Sequence, residues 1–136
     1  PDAIVLQCGA DAVDEDPLSR LALSNNSHFD VIAGLMPLAP RFLLLGGGGY
    51  NPWSVGRLWS GAWAVLSGRD IPKRLPSPAE DVLRRLTFKN NSRGRNPPDH
   101  WFTTILDTPR PGIVRTDVRE RIDHLAGRIG GLPSGR

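Results

Sequence analysis

Apolar residues in this chain of 136 residues fall into two short runs and several periodic stretches. Ala3 to Cys8 and Arg41 to Leu45 are runs with almost no polar alternation. That texture predicts strands buried on both faces, as in a parallel sheet. Between them lies a polar connection, Gly9 to Asn26, and then Phe29, Ile32, Ala33 and Met36 at helical spacing. Ser27 is the expected N-cap of that helix, with Asp30 three residues on, and Pro37 and Pro40 end it. Four glycines and Tyr50 follow the second strand directly. Asn51 then caps a further helix with Pro52 at its first position, where a missing N–H costs nothing. Val55, Leu58, Trp59, Ala62, Trp63 and Leu66 form its apolar stripe, and Gly68 closes it. Strand, helix, strand, helix implies an α/β fold with a parallel sheet and covering helices.

Beyond residue 70 the texture changes to proline-punctuated segments. A short helix is expected over 78–86, with Ser77 as cap and Glu80 completing the capping box. A second is expected over 117–129, with Val118, Ile122, Leu125 and Ile129 on one face. Lys89 to Pro98 reads as loop, and 130–136 as a disordered tail. The opening residues carry no methionine, and a buried strand starts almost at once. The expectation is therefore the C-terminal piece of a longer protein.

Charge is uneven. Residues 1–68 carry six acids and three arginines, whereas 69–136 carry eight acids and fourteen bases. The basic residues are spread among acids and prolines without interleaved aromatics, so a solvated surface is favoured over a nucleic-acid interface. No stretch reaches the ~20 apolar residues of a membrane span. One cysteine, Cys8, excludes an internal disulfide framework and any multi-cysteine zinc module. With no basic-then-apolar leader visible, a cytoplasmic setting is expected.

Two polar groups stand just past the two strands: Asp11 and Tyr50. Ligands of open parallel sheets bind beyond the carboxyl ends of the strands, so a carboxylate and a phenol would share one edge. The glycine run fits neither phosphate-binding pattern: Tyr50-Asn51-Pro52 stands where a Walker loop needs Gly-Lys-Ser/Thr, and the third glycine of the dinucleotide fingerprint is absent. His28, His100 and His124 have no zinc-motif spacing, and each reads as a surface or core histidine. Cys8 reads as an inert buried thiol.

Taken together, Ala3-Ile-Val-Leu-Gln-Cys-Gly-Ala-Asp11, Asp16-Pro-Leu18, Leu43-Leu-Leu-Gly-Gly-Gly-Gly-Tyr50-Asn and Val55-Gly-Arg-Leu-Trp59 resemble the zinc-dependent histone deacetylase family. The resemblance is strongest over residues 1–68. From 69 to 129, Arg93-Gly-Arg-Asn-Pro-Pro-Asp-His-Trp-Phe-Thr-Thr104 is similar to the bacterial acetoin-utilisation (AcuC-type) deacetylases. The resemblance implies a C-terminal portion of the arginase/deacetylase-type parallel-sheet fold, with three α/β/α layers. It implies hydrolysis of N-acetyl-lysine in proteins, acetyl-CoA synthetase among the expected substrates, with Zn²⁺ as cofactor. By the same resemblance Asp11 matches a zinc ligand and Tyr50 the tyrosine that polarises the amide carbonyl. Leu18, Gly48 and Gly49 match the walls of the acyl-lysine tunnel. Pro17 and Trp53 stand where inositol-phosphate-binding relatives carry arginines, so an inositol-phosphate partner is not expected.

An acetylpolyamine or small acetyl-amide hydrolase is the alternative within the same chemistry, and a non-catalytic basic binding module the alternative outside it. The family's Asp-x-His ligand pair and His-His dyad have no counterpart in these residues. The 136-residue polypeptide by itself is therefore expected neither to retain zinc through dialysis nor to hydrolyse an acetyl-lysine peptide. Zinc-dependent turnover by the purified chain would overturn that.

Overall fold

The computed structural model describes residues 1–88, 96–110 and 112–129, with backbone only at Ile129. Two parallel strands, β1 (Ile4–Gln7) and β2 (Phe42–Leu45), pair in register, with Gln7 opposite Leu45. Helix α1 (Asn25–Leu35) crosses between them, and α2 (Pro52–Leu66) follows β2. The predicted strand–helix–strand–helix order is present. Both helices lie on one face of the strand pair. Cys8, Ala10, Phe29, Ile32, Leu58 and Ala62 form the core there, with Leu6, Phe42 and Leu44 packed against it. The other face holds Val5, Leu43 and Leu45, all exposed among the described residues. One helical layer and the sheet are thus in place, and the apolar outer face is that of a sheet made to be covered twice.

Helix boundaries follow local chemistry, with two corrections. The α1 cap is Ser24, not Ser27: its hydroxyl accepts the N–H of Asn26 at 3.1 Å. The earlier start is fixed from far along the chain, because Asn25 N–H donates to Asp107 Oδ2 (2.7 Å) and its amide donates to the Ile105 carbonyl (2.7 Å). Helix α3 (Ser77–Arg85) is preceded by Pro76, and Ser77 makes no cap bond. Glu80 is drawn instead into a two-pronged pair with Arg74, at 2.7 and 2.9 Å. Asn51 and Pro52 start α2 as expected: Asn51 Oδ1 accepts from Trp53 N (3.1 Å) and Ser54 N (3.5 Å). Gly68, at φ 63°, ends it in the left-handed conformation that glycine adopts freely.

A second core forms on the far side of α2. Trp53 stacks on Trp101 with ring centroids 5.3 Å apart, and Phe102 meets it edge-on at 6.2 Å. Trp101 and Phe102 come from α4 (His100–Thr103), a single turn without apolar periodicity. This corrects the stripe assigned to α2: Trp63 is 68 % exposed, whereas Trp53 is 1 % exposed. The segment after α4 is strapped down by Arg57, which is buried and donates to the Thr104 carbonyl (2.8 Å) and to Asp107 (2.7 Å). Helix α5 (Thr116–Ile129) has the predicted period, but Val118, Ile122 and Leu125 are exposed. The loop expected over 89–98 lies outside the described residues up to 95, as does the tail expected at 130–136.

Truncation of a buried indole leaves a cavity and costs about 3–5 kcal/mol. Trp101→Ala is expected to lose about that much in urea denaturation, and Trp63→Ala no more than about 0.5 kcal/mol. Equal losses would contradict the two-core packing.

Candidate functional site

The parallel pairing sends both strand exits over the same edge. Cys8 N–H donates to the Leu45 carbonyl (2.9 Å), prolonging the ladder by one step. The chain then enters a 3₁₀ turn, Ala10–Ala12, and Ala10 N–H donates to the Gly48 carbonyl at 2.6 Å. Asp11 in that turn therefore meets the glycine run coming off β2. A Cβ on Gly48 would overlap the Asp11 carboxylate. Gly49 has φ 149°, and a Cβ there would lie 2.7 Å from Val55 Cγ2 and 2.8 Å from Ala10 Cβ. Glycine is thus demanded at Gly49 by close approach and by backbone conformation, whereas at Gly48 the neighbour is the Asp11 side chain.

Asp11 is half-buried and lines a cleft of about 320 Å³ with Gln7, Cys8, Gly9, Ser27 and His28. Its carboxylate is a hard oxygen donor at a strand end, a donor type that zinc accepts. Tyr50 follows the glycine run and is 48 % exposed, and Leu18 is 70 % exposed. The structure brings Asp11 against Gly48. Tyr50 and Leu18 it links through a residue the sequence reading quoted without assigning a role.

That residue is Asp16. It is 5 % exposed, and both carboxylate oxygens are used. Oδ1 accepts the N–H groups of Leu18 (2.8 Å) and Ser19 (3.1 Å). Oδ2 accepts the N–H of Tyr50 at 2.8 Å. The signal was the Asp-Pro pair itself, since Asp readily turns the chain by bonding N–H groups two and three residues on. A bridge between Val13 and Leu23 closes the neck of the loop.

The histidines stand in separate surroundings. His28 is buried with Nε2 3.3 Å from the Gly9 carbonyl, while Nδ1 has no protein partner. His100 pairs with Glu15 at 3.2 Å. Among the described residues, Glu15, His100 and Asp107 are the one set of three such groups with ligand atoms within 4.8 Å of one another. Asp107 already serves Arg57 and Asn25, and the second oxygen of Glu15 takes the Ser54 hydroxyl at 3.4 Å. These contacts make the set a clasp between the C-terminal segment and the α1–α2 layer. Cys8 is buried, and that burial pushes its thiol up from its ordinary value.

Residues 1–66 match the family model for the histone deacetylase domain. Over 76 residues the chain is 40 % identical to putative histone deacetylase 2 of Caenorhabditis elegans, which covers 56 % of this chain and 15 % of that protein. It is likewise 40 % identical over 76 residues to histone deacetylase 6 of Arabidopsis thaliana, covering 56 % of this chain and 16 % of that one. The crystal structure of an HDAC homolog from Aquifex aeolicus superposes with a TM-score of 0.77 at 31 % identity, covering 91 % of this chain and 33 % of that one. An HDAC homolog complexed with SAHA gives the same values. The chain thus spans about 15 % of the length of the curated relatives and a third of the solved ones. Coverage of 91 % carries the structural likeness past residue 66, into the segment that holds α3 and α4. The fold is of the arginase/deacetylase type, and residues 1–66 are similar to the histone deacetylase domain.

The two inner glycines are expected to respond differently to alanine. At Gly48 the obstacle is a carboxylate that can turn away. At Gly49 it is packed carbon and a positive φ. Gly49→Ala should cost about 1–3 kcal/mol in denaturation and Gly48→Ala clearly less. The reverse order would contradict the packing described.

Proposed function

We propose that this chain forms the strand-end half of a zinc-dependent deacetylase site that hydrolyses N-acetyl-lysine. The observation that carries the reading is the meeting of Asp11 with the glycine run that ends in Tyr50, at the shared carboxyl edge of two parallel strands. Asp11 would contribute one carboxylate ligand to the metal. Bound zinc supplies Lewis acidity toward the amide carbonyl and lowers the pKa of a bound water. The remaining ligands and the general base lie in residues other than these.

The residues of this chain have distinct tasks in that reading. The Tyr50 phenol donates a hydrogen bond to the amide oxygen as negative charge develops on it, which favours the transition state over the bound substrate. Gly48 and Gly49 keep one wall of the channel at backbone thickness, so that a straight lysyl chain passes. Leu18 offers an apolar side chain on the loop beside it. The acetoin-utilisation subtype and an acetylated-protein substrate such as acetyl-CoA synthetase rest on the resemblance of residues 93–104 alone. The absence of arginine at Pro17 and Trp53 supports an enzyme without an inositol-phosphate partner.

In the intact enzyme, Tyr50→Phe removes one donor to the developing oxyanion and should lower kcat by about 10²–10³-fold, with zinc content unchanged. Asp11→Ala should instead lose zinc, measured by atomic absorption after dialysis. Full zinc retention in Asp11→Ala, or undiminished kcat in Tyr50→Phe, would overturn the assignment.

A further inference from the structure

The buried carboxylate of Asp16 joins two parts of the site that lie more than thirty positions apart in sequence. Its Oδ1 closes the turn that presents Leu18, and its Oδ2 holds the backbone N–H of Tyr50 at 2.8 Å. Among the described residues no cation pairs with it, so three backbone N–H groups are what balances its charge. An ionised group at 5 % exposure is costly unless so satisfied. That cost makes the geometry strict: if any one of the three N–H groups moves away, a buried charge loses a partner. Tyr50 is 48 % exposed, so packing restrains it little, while the next residue, Asn51, is held as the cap of α2.

We propose that Asp16 is the positioning residue of the site, fixing Tyr50 and the Leu18 loop to each other through one carboxylate fork. The inference rests on the reading of Tyr50 as the carbonyl-polarising group. It adds that the register of the phenol is set by a side chain from the opposite strand exit, not by the glycine run. An asparagine cannot replace the fork. One oxygen still accepts the Leu18 and Ser19 N–H groups, but the other position becomes an NH₂ donor facing the N–H of Tyr50. Asp16→Asn therefore spares the turn and releases the tyrosine.

Amide hydrogen exchange on the chain tests the fork directly. In the wild type the Tyr50 amide should be protected. In Asp16→Asn its exchange should rise at least ~10-fold, while Leu18, Ser19 and the α2 amides Leu58 and Ala62 hold their rates. An unprotected Tyr50 amide in the wild type overturns the proposal without any variant. So does a rise in Asp16→Asn shared equally by α2. Kinetics of the intact enzyme give the second arm. Asp16→Asn should lower kcat by ~10-fold or more, with KM within about twofold. In a Tyr50→Phe background the same substitution should change kcat by less than about twofold, because the group it positions is gone. Equal losses in both backgrounds overturn the positioning role. If Tyr50→Phe alone leaves kcat intact, the reading of Tyr50 fails, and the exchange result decides on Asp16 separately.

Discussion

The site depends on the contact between the turn after β1 and the glycine run after β2. Parallel strands in register deliver both segments to one edge, and the 2.6 Å bond from Ala10 N–H to the Gly48 carbonyl locks them together. Asp11 and the glycine wall hang from that lock, and Tyr50 is held in turn by Asp16. It sets Asp11 against Gly48, leaves Gly49 no room for a side chain, and starts α2 at Asn51 with its cap already engaged. Asn51 also donates to the Glu15 carbonyl (3.1 Å), so the cap of α2 is tied to the Asp11 loop as well. A helix start, a strand end and a loop are thereby held as one unit.

The C-terminal segment serves that unit from behind. Arg57 in α2 reaches the Thr104 carbonyl and Asp107, and Asp107 reaches the N-terminus of α1. Arg57 and Asp107 are 3 % and 11 % exposed, so this is a buried pair, and each member makes a further bond, Arg57 to the Thr104 carbonyl and Asp107 to the Asn25 N–H. Removing one member would strand the other charge, which is far costlier than the pair is stabilising. The Trp53–Trp101 stack adds apolar area on the same side of α2. The clasp of His100 on Glu15 completes the link one residue away from Asp16.

The local parts of this architecture were legible in sequence. Unbroken apolar runs gave both strands, and Asn51-Pro52 with Gly68 bracketed α2, because caps and strand texture are decided within a few residues. The misreadings share one cause, a partner outside the element being read. Ser27 with Asp30 looks as good a cap as Ser24, until Asn25 is seen bonded to Asp107. Glu80 looks like a capping-box partner for Ser77, until Arg74 takes both its oxygens. Periodicity placed Trp63 in the stripe and gave Trp53 no task, since α2 has a second apolar face whose partner is a single-turn helix with no period of its own. At the strand ends, Asp11 and Tyr50 stood out in sequence as the candidate chemical groups. Asp16 was not, because its part lies in three backbone bonds across two loops.

The most direct measurement is a crystal structure of the intact protein loaded with zinc and an acetyl-lysine peptide. The account predicts an Asp11 carboxylate oxygen about 2.0–2.2 Å from the metal. It also predicts the Tyr50 hydroxyl within hydrogen-bond reach, about 2.6–3.2 Å, of the acetyl oxygen. Zinc seated at Glu15, His100 and Asp107 instead, or the Tyr50 ring directed away from the bound acetyl group, would contradict it.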